Sequence, residues 1–507
     1  MTSRGTLLSL DELRDEGDAL MRELSREQYL VGAGHKAEAD LRSIYLRHEA
    51  IAGEESLHLA KESYLVAREG TEDRRSARML LEWQAELAGS RAVAELDEQV
   101  LAWEAAAVVS FEGGAIEYEG SLPEIANSAD RGRRLAIDRA RNDLIQKELV
   151  PLRQARFRRE RDVTEALDLA VGFIPTIELL SGISLRALAA QSEQLLRDTA
   201  VMYDDVRREF VRQQLGLDPA EVERSDAQAL LRVPRFDGAF PAHEMRDRVL
   251  RQASDMGLDP TAGGRITLDT DDRPGKKSRA FCAPVRIPEE VYLVVRPRGG
   301  QADWMSFLHE LGHSLHYAYT RAGLGFEFRW LGDNSITESY AMLFHHRLSD
   351  AGWLARYTDL RGARLTEFLR VRAFDELHLL RRYCAKFLHE MELYSSEDWD
   401  DMPARYAERL TCATGFRYDA ANAFVDLDPR FYSARYLRAW QLQGIIGESL
   451  VNRFDADWWR NPRAGPWLAG SLFSEGQHDS GDELAARVAG TSLGFAPLVR
   501  EAEASLA

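Results

Sequence analysis

The segment His309-Glu310-Leu-Gly-His313 constrains this chain more than any other stretch of its sequence. Positions i and i+4 of a helix lie one turn apart on the same face. If the segment is helical, two imidazoles stand side by side and can reach one zinc ion. Glu310 follows the first histidine. It sits beside such a metal rather than on it, placed to take a proton from water. The flanks read as helix boundaries: Gly299 and Gly300 precede the run, and Gly323 and Gly325 follow it. Leu308, Leu311, Leu315 and Ala318 mark a buried side. The plainer alternative is a pair of histidines on an ordinary core helix.

A catalytic zinc needs a third protein ligand and an open position. Glu338 is the best candidate, early in a second helical pattern and 29 residues on (338 − 309). Ser335-x-x-Glu338 also fits a capping box, in which the glutamate only satisfies a helix N-terminus, and spacing leaves both readings open. His316 shares the face of His309 and His313, but as a ligand it lies a turn too far along, so a packing or supporting role fits it better. His345 and His346 are later alternatives.

From the start to about position 217 apolar residues recur at three- and four-residue spacing, and proline is rare. Gly216 to Pro241 is rich in glycine and proline and reads as a hinge. The expected division is a helical N-terminal region, 1–217, and a catalytic region, 218–507. Strand signals fall at Arg265 to Leu268, Ala280 to Val285 and Val291 to Val295, after which the pattern is helical again. The expected fold is mainly α, with a small sheet just ahead of the histidine motif.

The net charge of −18 argues against phosphate binding. Arginines between Arg131 and Arg161 interleave with acids and read as a solvated helix face, not a nucleic-acid patch. Cys282, Cys384 and Cys412 are odd in number and far apart, which fits free thiols rather than a disulfide framework. No apolar run approaches the ~20 residues of a membrane span. The charged N-terminus lacks a signal-peptide core. A cytoplasmic, soluble protein is the expectation, with no nucleic-acid or membrane partner and its oligomeric state open.

The run His309-Glu-Leu-Gly-His-Ser-Leu-His316, with Glu338 at that spacing, resembles the M3 family of zinc peptidases, which includes oligoendopeptidase F and thimet oligopeptidase. Arg273-Pro-Gly-Lys-Lys-Ser-Arg-Ala-Phe-Cys282 is similar to the family's P-G-K-x-x-G-A-F-C segment, with Arg279 in place of its second glycine. Phe431-Tyr432-Ser-Ala-Arg-Tyr436 is similar to its late tyrosine motif. The resemblance implies a helical, two-lobed, zincin-type body with a deep substrate channel and cleavage of short peptides. It implies one Zn2+ on His309, His313 and Glu338, and Glu310 as catalytic base. Tyr432 and Tyr436 then bind substrate and steady the oxyanion; their alternative is core packing at i,i+4. The thimet-like branch has a histidine before the first tyrosine, where Val425 to Arg430 has none, and many relatives have a carboxylate where this chain has His345. The strand Val291 to Val295 is a candidate to pair with an extended substrate, and Gly323, Gly325 and Gly332 could let the linker close over it. The rivals are a zinc exopeptidase of carboxypeptidase type and a non-catalytic helical peptide-binding protein.

Overall fold

The three- and four-residue periodicity becomes helix along most of the chain, and the computed structural model describes residues 8–506. The molecule is mainly α, as expected. Its strands form a two-stranded and a three-stranded sheet. β1 (Val108–Phe111) and β2 (Gly114–Glu117) make an antiparallel hairpin. The sequence reading passed over this hairpin, although Gly113 and Gly114 between two apolar runs carry its signal.

The other three strands lie where the strand signals fall: β3 (Ile266–Asp269), β4 (Phe281–Arg286) and β5 (Glu290–Val294). Their order is β3-β5-β4, so β5 is central, parallel to β3 and antiparallel to β4. This corrects the expectation that Val291 to Val295 receives a substrate strand, because both its edges are already paired. The edge strands are β3 and β4, and β4 is the one that leads to the histidine helix through Cys282. Pro284 fits the edge position of β4, since a residue without an N–H is tolerated at a sheet edge and not at the centre.

Two compact units emerge from the packing, each assembled from separated segments. The first comprises the chain up to Ala88, then Phe236–Leu369 and Arg438–Pro497. The second comprises Gly89–Arg235, Arg370–Leu437 and the residues from Leu498 on. Position 217, the boundary read from sequence texture, lies inside the second unit, while the cut at 235/236 falls within the expected hinge. The first unit holds the three-stranded sheet and the histidine motif. The second holds the β1–β2 hairpin and the arginine-rich helices.

Only part of the arginine-rich run is a solvated face: Arg139, Arg158 and Arg159 are exposed. Arg134, Arg141 and Arg156 are buried. Arg131 and Arg134 clamp the fully buried Asp226 at 3.0 and 2.8 Å, and Arg156 pairs with Asp97 and Glu160. Of these partners only Glu160 is an interleaved acid; Asp97 and Asp226 lie outside the run. Among the described residues no single helix is long and apolar enough to cross a membrane.

Candidate metal centre

The histidine motif occupies the helix Gln301–Tyr319. Gly300 starts it at φ 86, a left-handed backbone that glycine adopts without steric cost. Trp304, Phe307, Leu308, Leu311 and Leu315 are fully buried and fix which side of the helix faces inward. His309, Glu310 and His313 remain on a partly open side.

A second helix, Asn334–His345, packs directly across it. The reason is Gly312, between the two histidines. A Cβ there would sit 2.6 Å from Ala341 Cα and 2.8 Å from the Tyr340 carbonyl oxygen. Only the missing side chain lets the two backbones come this close. Asp333 caps the second helix by accepting from Ser335 N at 3.0 Å. Its other oxygen accepts from Arg438 at 3.2 Å and from Gly481 N at 3.1 Å. The N-cap is therefore Asp333 and not Ser335, so Glu338 lies beyond the capping positions and the capping-box reading fails.

With the helices so placed, Glu338 Oε2 lies 3.5 Å from His309 Nε2 and 3.7 Å from His313 Nε2. The ligand atoms of His309, His313 and Glu338 all fall within 4.8 Å of one another. The rings of the two histidines are nearly perpendicular, with centroids 4.8 Å apart. Burial pushes the His313 imidazole down to about 4, so it is neutral at pH 7 and can offer a lone pair. Its Nδ1 lies 2.9 Å from Thr337 Oγ1. A proton on Nδ1, donated to that hydroxyl, leaves Nε2 as the donor atom facing Glu338. Two imidazoles and one carboxylate match zinc far better than magnesium or calcium, which prefer all-oxygen shells.

Glu310 points elsewhere. Its Oε2 accepts from Cys282 N on β4 at 3.0 Å. Burial raises its pKa, the neighbouring His309 and the Cys282 N–H pull it back, and Glu338 adds to the rise. The carboxyl is thus beside the His–His–Glu group, held by a sheet edge.

His316 is buried among Tyr340, Phe473 and Tyr317. Its Nε2 lies 3.2 Å from the Gly476 carbonyl oxygen, and burial pushes its pKa down to about 3. It is a packing residue, as its position along the helix suggested.

Tyr432 and Tyr436 begin the helix Tyr432–Phe454, half-buried, with ring centroids 5.1 Å apart; Tyr436 also meets Tyr383. They belong to the second unit and the histidine motif to the first. Arg430 and Phe431, just before Tyr432, both have left-handed backbones, φ 52 and 57. Such strain persists only where surroundings enforce it. Phe431 is buried against Phe173, Phe387 and Tyr394. Buried Glu390 accepts from Asp428 N at 3.0 Å and from the Ser433 hydroxyl. Glu390 was not singled out from sequence, because nothing in its own segment distinguishes it.

No protein-family model matches the chain. No curated protein matches it by sequence. Solved structures do match in shape. A Pyrococcus furiosus carboxypeptidase superposes with TM-score 0.61 at 13% identity, covering 99% of this chain and 100% of that one. The M32 carboxypeptidase from Deinococcus radiodurans R1 gives 0.58 at 14%, covering 98% of each. A Bacillus anthracis str. Ames protein provisionally assigned as an oligoendopeptidase F gives 0.64 at 12%, covering 99% and 97%. The chain shares the fold of these proteins. The match extends over nearly the whole length of each.

Proposed function

We propose that this chain is a zinc-dependent peptidase that cleaves short peptides internally, with His309, His313 and Glu338 holding one zinc ion and Glu310 as general base. The observation that carries this reading is the convergence of the three ligand atoms within 4.8 Å, with a second carboxyl, that of Glu310, beside them. The M3-like motifs and the fold shared with peptidases of two kinds support it.

A zinc ion bound there supplies Lewis acidity, polarising the scissile carbonyl and making water a better nucleophile. The chain's own groups do the rest. Glu310 takes a proton from the attacking water and passes it to the leaving amine. Its raised pKa brings it nearer neutrality, where one carboxyl can both accept and return a proton. The Cys282 N–H on β4 fixes its orientation. The free edge of β4 can take an extended peptide as an added strand, holding the bond to be cut beside Glu310. Tyr432 and Tyr436 are assigned to the oxyanion on the resemblance of their motif alone.

A second reading has a specific observation behind it: two of the similar structures are carboxypeptidases. Digestion of a peptide blocked at both ends separates the readings. Internal cleavage supports the endopeptidase, and cleavage only after the C-terminal block is removed supports the carboxypeptidase. Glu310→Gln should retain its zinc and lose about 10²–10⁴-fold in turnover, the span a general base contributes. A mutant as active as wild type would refute the assignment of Glu310.

A further inference from the structure

One more imidazole reaches this site. His345 ends the glutamate helix, seven residues after Glu338 (345 − 338), and so two turns along nearly the same face. Its Nδ1 lies 3.0 Å from His309 Nδ1, and the two rings are near parallel, 27° apart with centroids at 5.2 Å. At that distance one nitrogen holds a proton and the other accepts it. The choice decides whether His309 can bind a metal. With the proton on His309 Nδ1, the lone pair is on Nε2, the atom that faces Glu338 Oε2 at 3.5 Å. With the proton on Nε2, that atom has no lone pair to give.

We propose that His345 is a positioning residue that accepts the His309 Nδ1–H bond and thereby holds the His309 ring and its metal-binding tautomer. The inference rests on the metal reading of the site. It requires His345 to carry its own proton on Nε2. Metal-binding histidines commonly donate to a carboxylate, a backbone carbonyl or a water, and this partner sets ring orientation and basicity. Here a second imidazole does that work, and Thr337 Oγ1 faces the corresponding nitrogen of His313. Both Nδ1 atoms thus face neutral groups, a weaker support than a carboxylate gives.

The test is the zinc affinity of the full-length protein, measured by competition with a chromophoric chelator. In aspartate and asparagine a side-chain oxygen hangs from Cγ just as Nδ1 does in histidine, so both can still accept the bond. His345→Ala should weaken zinc binding about 10–100-fold, His345→Asn should stay near wild type, and His345→Asp should bind as tightly or tighter. Zinc-edge X-ray absorption of the wild type should show two imidazoles. An alanine variant that keeps its helical circular dichroism and binds zinc like wild type overturns the role of His345. So does a count of three imidazoles, which would make His345 a ligand. If wild type binds no zinc while all variants stay folded, the metal reading itself fails and takes this inference with it.

Discussion

At the residue scale, charge decides more than position along the chain. Asp226 is fully buried. Burial pushes its carboxyl up, yet hydrogen bonds from Arg131, Arg134 and the Glu223 N–H outweigh this and leave its pKa below the ordinary value. A carboxyl with a lowered folded-state pKa stabilises the protein fully above its unfolded value, about 3.9. That contribution fades as pH falls through the folded value. Asp226→Asn should therefore cost stability at pH 7, about 3–5 kcal/mol for a broken buried pair. The urea midpoints of mutant and wild type should converge as pH drops toward 3. An equal gap at pH 7 and pH 3 would disprove the ionic role. The sequence showed the interleaving of Arg131 to Arg161 with acids but not its meaning, since Asp226 lies ninety-five positions from Arg131. The same limit hid Thr337 and the contact of His345 with His309, which are set only when two helices meet.

At the element scale, the sequence carried a good deal. The helix around His309 and all three strands of the larger sheet lie where periodicity and β-branched runs put them. Which strand is central was not legible, because β4 and β5 are both short and apolar. Pro284 was the available clue to the edge. Whether Glu338 capped a helix or faced the histidines was also open, and Asp333 decided it by taking the N-cap. Gly312 carries the clearest prediction. Alanine favours a helix by ~1 kcal/mol over glycine, but at this position its Cβ meets backbone at 2.6 and 2.8 Å. Gly312→Ala should keep the helical content and yet lose zinc, because the helix bearing Glu338 is pushed away. Unchanged zinc affinity in that variant would show that the close approach of the two helices is not what assembles the site.

At the scale of the whole molecule, residues from distant parts of the sequence form one chemical group. The first unit gathers the sheet, the histidine helix and the glutamate helix, and its last segment anchors Asp333 through Arg438 and Gly481. The fold is shared with peptidases at 12–14% identity. Sequence reasoning recovered the helical class, and through one motif and one spacing it named the three residues whose ligand atoms lie close together. It missed the interlaced construction of the two units, which no local pattern encodes. The central claim is that His309, His313 and Glu338 converge on one ion. Anomalous scattering from a zinc-soaked crystal, measured on both sides of the zinc edge, tests it most directly. The account predicts a single strong peak per chain between the two Nε2 atoms and the Glu338 carboxylate. A peak elsewhere, or none in a crystal soaked to saturation, would contradict it.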